Sequence, residues 1–420
     1  MSIRSGLVIG IAAIGFLGMG LSSTAAAQGA CPAGSKISKQ IAKPMIAAQE
    51  AMKKRNWQDM LTKVREAEST PGSKSAFDLY NMAEFRGYAY HNLHQDADAA
   101  REMELGLNSP CMAESKKFER YKSLAGLYFA LRNYPKAIDY SNRALKVQRD
   151  PEVQVTLGQS YYLSGNNKEA ARVMKELLAQ FEQGNRKPPE QQLLLVRSAC
   201  DRAGDNSCVA QVLEKLVIYY PKPEYWEHLM KAINRLDTDD VQKLNAMRLA
   251  VHVNVLKKPE DYKEMAQLTL ERNLGCEAQA VLEDGFAKKV FVEKRDVDVN
   301  QRLLATAKAQ CAKEKGEIAT ADAAARAAKT GDADAALGAQ YLGFGDSAKA
   351  VEALQRSVTK GVTAEDVAKD KQGEKVDEAY MVLGLAHLRN NNKTEARKAF
   401  NLVKRDPTMV RIAKLWNLNT

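Results

Sequence analysis

The chain has 420 residues, 45% hydrophobic and 27% charged, a globular composition long enough for a few domains or for one elongated array. Glycine and proline are modest, at 25 and 12, while alanine, leucine, lysine and glutamate dominate, so mostly helix is expected. A formal net charge of +10 draws such a chain to anionic surfaces or acidic partners in a salt-sensitive way, although basic and acidic residues are interleaved almost everywhere.

Residues 1–27 open with Arg4, continue through an uncharged apolar run from Leu7 to Leu21, and end in Ala25-Ala26-Ala27 before Gln28. This is the layout of a secretory signal peptide cleaved after Ala27. The run of about fifteen residues is shorter than the roughly 20 needed to cross a bilayer. Cys31 does not make a lipoprotein site, because Gln28 stands where a lipobox wants leucine. Residues 28–40 form a lead-in, and nothing after residue 30 is apolar for long enough to span a membrane. The mature chain is expected in the periplasm with a charge of about +9, Arg4 being lost from +10. That location excludes nucleic acid as a partner.

Export changes how the cysteines are read. Six cysteines, Cys31, Cys111, Cys200, Cys208, Cys276 and Cys311, fall in the mature chain, and none has the Cys-x-x-Cys spacing of a zinc or redox site. Disulfides are therefore expected, in a connectivity that spacing does not fix. The pair favoured by local geometry is Cys200 with Cys208, because Gly204-Asp205-Asn206 turns the chain between them; closing so short a loop stabilises by roughly 2–3 kcal/mol.

From residue 41 onward one pattern recurs: a Leu-Gly pair, a tyrosine three after the glycine, a polar turn, and an alanine twelve after the glycine. Leu157, Gly158, Tyr161 and Ala170 carry it, as do Leu124, Ala125, Tyr128 and Ala137. Gly87, Tyr90 and Ala99 repeat it, as do Leu337, Gly338, Tyr341 and Ala350, and then Leu383, Gly384, His387 and Ala396. Weaker copies run from Trp57, Leu193, Trp226 and Tyr262. The frames begin about 33 to 46 residues apart, which means stacked supersecondary units. The small residues are expected to let two helices of a hairpin cross closely, Gly158 facing Ala170, with Tyr161 and its equivalents filling the wedge between hairpins.

The pattern resembles the tetratricopeptide repeat (TPR), whose consensus of Trp, Leu-Gly, Tyr, Ala, Phe, Ala and Pro in about 34 residues is matched best at 121–151, 153–178 and by Tyr380, Leu383, Gly384, Ala396, Phe400 and Pro407. The resemblance implies an all-α fold, an α-α superhelix or TPR-like solenoid of about nine or ten helical hairpins. The expected organisation is an N-terminal array at 41–290, a degenerate hairpin or hinge at 291–330, and C-terminal repeats at 331–420. Within the last block the polar stretch 358–376 reads as a long connection.

Nothing in the sequence supplies catalytic chemistry: there is no Gly-x-Ser-x-Gly elbow, no His-Glu-x-x-His and no phosphate loop or dinucleotide fingerprint. His91 and His94 can face one way on a helix, but no third ligand accompanies them, so neither metal nor cofactor is expected. In the repeat frame the inner-wall positions of first helices fall on Glu84, Phe85, Tyr88, His91 and Asn92, then on Lys122 and Phe129, Gln159 and Tyr162, Arg202, and finally His228, Lys231 and Arg235. Aromatic groups give way to basic ones along that path, which suits an extended peptide with apolar side chains and an acidic stretch. Family members that clamp a terminal carboxylate use lysines and asparagines at fixed inner positions; Lys122 matches one, but Gly126 and Thr156 replace asparagines, so that activity is not implied. The expected function is a periplasmic adaptor or scaffold for a protein or peptide partner in envelope assembly, transport or secretion. The alternative is an enzyme-associated or catalytic solenoid acting on a cell-wall glycan.

Overall fold

The hairpin turns are written into the sequence. At Asn56, Asn133, Asn166, Asp205, Asp346 and Asn392 a side-chain oxygen accepts a backbone N–H three residues on, capping the helix that follows. The residues just before these caps, Arg55, Arg132, Gly165, Gly204, Gly345 and Asn391, have positive φ. A left-handed residue ends one helix and an Asn or Asp starts the next, so the chain reverses in a short link such as Lys54-Arg55-Asn56.

The computed structural model describes residues 31, 34–233, 238–361 and 372–420. The expected signal peptide, Arg235 and the middle of the connection 358–376 lie outside them. Every regular element described is helical, and the chain is a TPR-like all-α solenoid. It divides into two compact units between Gly204 and Asp205 rather than in the 291–330 stretch.

The first unit contains α1 (Lys39–Lys53), α2 (Trp57–Ser69), α3 (Ala76–Asn92), α4 (Asp96–Leu107), α5 (Lys117–Ala130), α6 (Tyr134–Val147), α7 (Pro151–Leu163), α8 (Asn167–Gln183) and α9 (Glu190–Arg202). First helices touch across hairpins, α1 with α3, α5 with α7 and α7 with α9, whereas the substantial contacts of α2, α4, α6 and α8 are all with chain neighbours. The first helices therefore line the inside of the bend. A disulfide from Cys31 to Cys111 ties the lead-in to the loop after α4, and buried Asp78 accepts hydrogen bonds from the Ser38 hydroxyl (2.5 Å) and N–H (2.9 Å).

The second unit contains α10 (Asn206–Tyr219), α11 (Pro223–Ile233), α12 (Asp240–His252), α13 (Pro259–Glu271), α14 (Gly275–Ala287), α15 (Lys294–Ala327), α16 (Asp332–Gly343), α17 (Ser347–Lys360), α18 (Gln372–Arg389), α19 (Lys393–Leu402) and α20 (Pro407–Asn417). Where a degenerate hairpin or hinge was expected, α15 runs unbroken for 34 residues. Its alanine- and lysine-rich sequence favours helix, and no turn-and-cap pair interrupts it. Asn300, Ala307, Cys311, Glu314 and Ala325 are its buried positions, the spacing of a single helix face. Cys311 is bonded to Cys276, and Glu314 accepts the Gly275 N–H at 2.9 and 3.0 Å.

Small residues do let hairpins close, but against different partners from those expected. A Cβ on Gly158 would lie 2.5 Å from Met174, not against Ala170, and Gly87, Gly338 and Gly384 likewise face Met103, Leu354 and Phe400, sixteen positions later in each case. Where this register begins with Ala125, its sixteenth residue is the small Ser141, fully buried. A glycine receives a large side chain, and an alanine a small one, so the volume between paired helices is shared. Tyr128 stacks on Tyr140 of its own hairpin at 5.8 Å and also packs with Ala99, Ala100 and Met103 of α4, so it bridges two successive hairpins.

Unit two closes on itself. Gln242 on α12 donates to Asp406, at the cap of α20, at 2.5 Å, and Arg411 on α20 meets Glu214 on α10 at 2.5 Å. Trp416 of α20 lies against His252 of α12, ring centroids 4.7 Å apart. Among the described residues no helix is long and apolar enough to cross a membrane.

Candidate functional site

The inner wall of the first unit is stapled by residues the sequence nominated: two pair with neighbours it did not nominate, and a third, Tyr162, with one it did. Glu84 on α3 takes both oxygens to Arg120 of α5, at 2.5 Å each. Lys122 on α5 pairs with Asp150 (2.9 Å) and Glu152 (2.7 Å) at the start of α7. Burial works to lower the ammonium's pKa, but those two carboxylates raise it above the ordinary lysine value. Tyr162 on α7 carries the Arg202 guanidinium over its ring, 4.5 Å from the centroid. Each rung joins two first helices.

Other nominees hold structure instead. Phe85 is buried in the core with Ile41, Met60 and Met82, because its place on α3 points at α1 and α2 rather than along the wall. Tyr88 is half-buried and meets Trp57 edge-on at 5.3 Å, and Phe129 is half-buried beside Tyr134. The Asn92 amide donates to the Tyr88 carbonyl at 2.8 Å. His91 is half-buried with Nδ1 unpartnered, and burial lowers its pKa below the usual imidazole value, seconded by His94 and opposed by Asp96. His94 lies beyond the end of α3 in a left-handed turn (φ 59°), so it does not share a helix face with His91. Gln159 is half-exposed on α7. His228 and Lys231 belong to the second unit, where both are exposed, so the nominated path is split between units.

The second unit holds a chamber of 320 Å³ that the sequence did not disclose. Its floor is one face of α16, Ala335, Ala336 and Ala339, and its sides come from Leu354 and Val358 of α17 and Val376, Ala379 and Val382 of α18. Arg248 and Arg272 enter from α12 and the end of α13. Arg248 is buried and bidentate to Glu277, 2.7 Å at each contact, with a third bond of 3.2 Å to Asn245. Arg272 pairs with Glu378, and Lys375 with Asp332 at 3.2 Å. Burial alone would raise the Glu277 pKa, yet Arg248 foremost, with Arg389 and Arg272, holds it below the usual carboxylate range. Among the described residues no cluster of three metal-ligating side chains occurs.

What decides the fold is the sixteen-residue register, met in hairpins of both units and always on the same two helices. The chain has a TPR-like, all-α solenoid fold. No family model and no curated protein matches its sequence. Among solved structures it is similar to a tetratricopeptide repeat protein from Parabacteroides merdae, 13% identical over 64% of this chain and 100% of that one, with a TM-score of 0.32. A structure of Naa15/Naa10 bound to HypK-THB is 15% identical over 91% of this chain and 62% of that one, with a TM-score of 0.38. The C-terminal part of a TPR repeat-containing protein from Cytophaga hutchinsonii is 17% identical over 54% and 83%, with a TM-score of 0.32.

The wall residues that sequence missed, Arg120, Asp150 and Glu152, sit 28 to 36 positions from the groups they neutralise. One repeat period away is where a neighbour's first helix lies, so complementary charges at that spacing are the signal that finds them. Every described cysteine is disulfide-bonded, Cys200 and Cys208 included, which fits an oxidising compartment.

Proposed function

We propose that this TPR-like chain is an exported interaction scaffold whose first unit holds a partner segment along its inner wall. The observation that carries this is the continuity of that wall: α3, α5, α7 and α9 are joined rung by rung through Glu84–Arg120, Lys122–Glu152 and Tyr162–Arg202. Such a pre-assembled surface loses little side-chain freedom when a partner docks. Tyr162, half-buried on α7, is the ring that meets an apolar side chain of the partner. Because Arg120 and Lys122 are already neutralised, Arg202, exposed at the end of the path, is the group that takes an acidic residue of the partner.

The apolar leader with its Ala-rich end, together with the oxidised cysteines, supports placement in the periplasm. With the other four cysteines committed, Cys200 and Cys208 are left to bridge each other. The mature chain's charge of about +9, one less than the +10 of the full sequence, adds a salt-sensitive attraction to anionic envelope surfaces.

A photo-crosslinking amino acid at Gln159 tests the wall in intact cells. A discrete protein adduct is expected there, reduced several-fold by Tyr162→Ala with Arg202→Glu. The same probe at Lys175, exposed on α8, serves as the outer-surface control. Adducts of equal yield and identity from both positions refute an inner-wall site.

A further inference from the structure

The chamber in the second unit exists because one helix has been trimmed. Relative to the small residue of the register, the positions three and two before it and one after it carry Glu84, Phe85 and Tyr88 on α3. The same positions carry Met381, Val382 and Leu385 on α18, but Ala335, Ala336 and Ala339 on α16. Three adjacent methyl groups on α16 stand where α3 and α18 carry longer side chains, and the ring closure through α20 keeps the opposite wall in place. Ala336 is exposed, so water reaches these apolar walls, and an apolar guest that displaces it gains the burial of their surface.

The two ends of this space differ. Leu354, Val358, Val376 and Val382 surround the α16 alanines with hydrocarbon. At the other end Arg248, Arg272 and Glu378 line the space, and Glu277 and Arg389 lie close by without lining it, so the cluster as a whole holds three guanidiniums against two carboxylates. Lys375 and Asp332 at the rim cancel each other. Arg248 is saturated by Glu277 and Asn245, but the Arg272 side chain is 33% exposed, so it can turn its fork toward a second carboxylate. At the roughly 30 Å³ that a small group occupies in a liquid, 320 Å³ accommodates about ten non-hydrogen groups.

We propose that the chamber binds a medium-chain alkyl carboxylate, its tail against Ala335, Ala336 and Ala339 and its carboxylate at Arg272. This site is separate from the inner wall of the first unit and does not depend on it.

The test titrates the full chain by calorimetry with decanoate, decanol and decylamine, three molecules sharing a tail and differing in headgroup. Decanoate is expected to saturate one site per chain and to bind at least tenfold more tightly than decylamine, with decanol between them. Arg272→Gln should weaken decanoate at least fivefold and leave decanol unchanged. Ala336→Phe, which fills the space, should abolish binding of all three while thermal unfolding remains cooperative; Ala339→Leu serves the same purpose with a smaller side chain. The proposal is overturned if decanoate shows no saturable binding, if decylamine or decanol binds as tightly, or if a folded, chamber-filled variant binds decanoate like the parent.

Discussion

Replacing Gly384 by alanine puts the helix register to its hardest trial, because two opposing effects of known size meet at one methyl group. In an unobstructed helix interior the change stabilises by about 1 kcal/mol through backbone entropy. Here the new Cβ would lie 2.6 and 2.8 Å from ring atoms of Phe400. That ring is 2% exposed and stacked on Trp416 at 6.0 Å, so it has nowhere to rotate. Overpacking of this kind costs about 1–3 kcal/mol, and a confined aromatic ring belongs at the upper end, which leaves a net loss of about 2 kcal/mol. Urea unfolding, comparing midpoints at unchanged slope, measures it. Gly316→Ala in α15 is the internal standard: nothing lies within 4 Å of its Cβ, so the same substitution should stabilise by up to about 1 kcal/mol. Adding Phe400→Leu to Gly384→Ala should recover part of the loss. If Gly384→Ala proves as stable as the parent, or if Phe400→Leu gives no relief, the register does not control packing as argued.

Three further outcomes follow from buried charge and covalent ties. Arg248→Met leaves Glu277 buried without its partner and should cost about 3–5 kcal/mol, most of it restored by adding Glu277→Leu, as read by chemical denaturation of the single and double variants. Burial works to raise the Asp78 pKa, but hydrogen bonds from Ser38 and Ser75 outweigh it and set it below the ordinary value. A depressed carboxylate stabilises the fold above its unfolded pKa of about 3.9 and loses that contribution as pH falls through the folded value, so urea midpoints should drop below about pH 4, with a shallower slope in Asp78→Asn. Opening Cys31–Cys111, 80 residues apart in sequence, should cost about 4.5 kcal/mol on the chain-entropy model, and Cys276–Cys311, 35 apart, about 3.8. Paired serine variants compared by thermal unfolding check both values.

The hairpins were legible because their signals are local. Leu157-Gly158 and the polar turn before Ala170 fix two helices and the link between them, and Asn166 caps the second. The partner of Gly158 was not legible, since a small residue announces a close approach without saying which turn of the facing helix arrives there; only the geometry selected Met174 over Ala170. The wall was half legible. Lys122 and Tyr162 lie on first helices as expected, but their charges and rings are engaged by Glu152 and Arg202 one repeat away. Phe85 misled because an aromatic at an inner-wall position looks the same in sequence whether it faces solvent or a preceding hairpin. The chamber escaped notice because it depends on Arg248 and Arg272 meeting α16 and α18 from far away in sequence, and Ala335, Ala336 and Ala339 look like ordinary helix formers until something large fails to fill the space above them.

The bond from Gln242 to Asp406 bridges 164 positions, a separation unusual for an architecture in which neighbours normally meet only neighbours. An open stack tolerates gain or loss of a hairpin, because each addition merely lengthens the rod. A closed loop does not: deleting one hairpin shifts α20 away from both α10 and α12, and its three anchors fail together. During synthesis the same constraint makes this half wait, since α10 to α12 leave the ribosome long before the helix that completes them. Descendants of this chain should therefore vary in repeat number, if at all, ahead of Asp205.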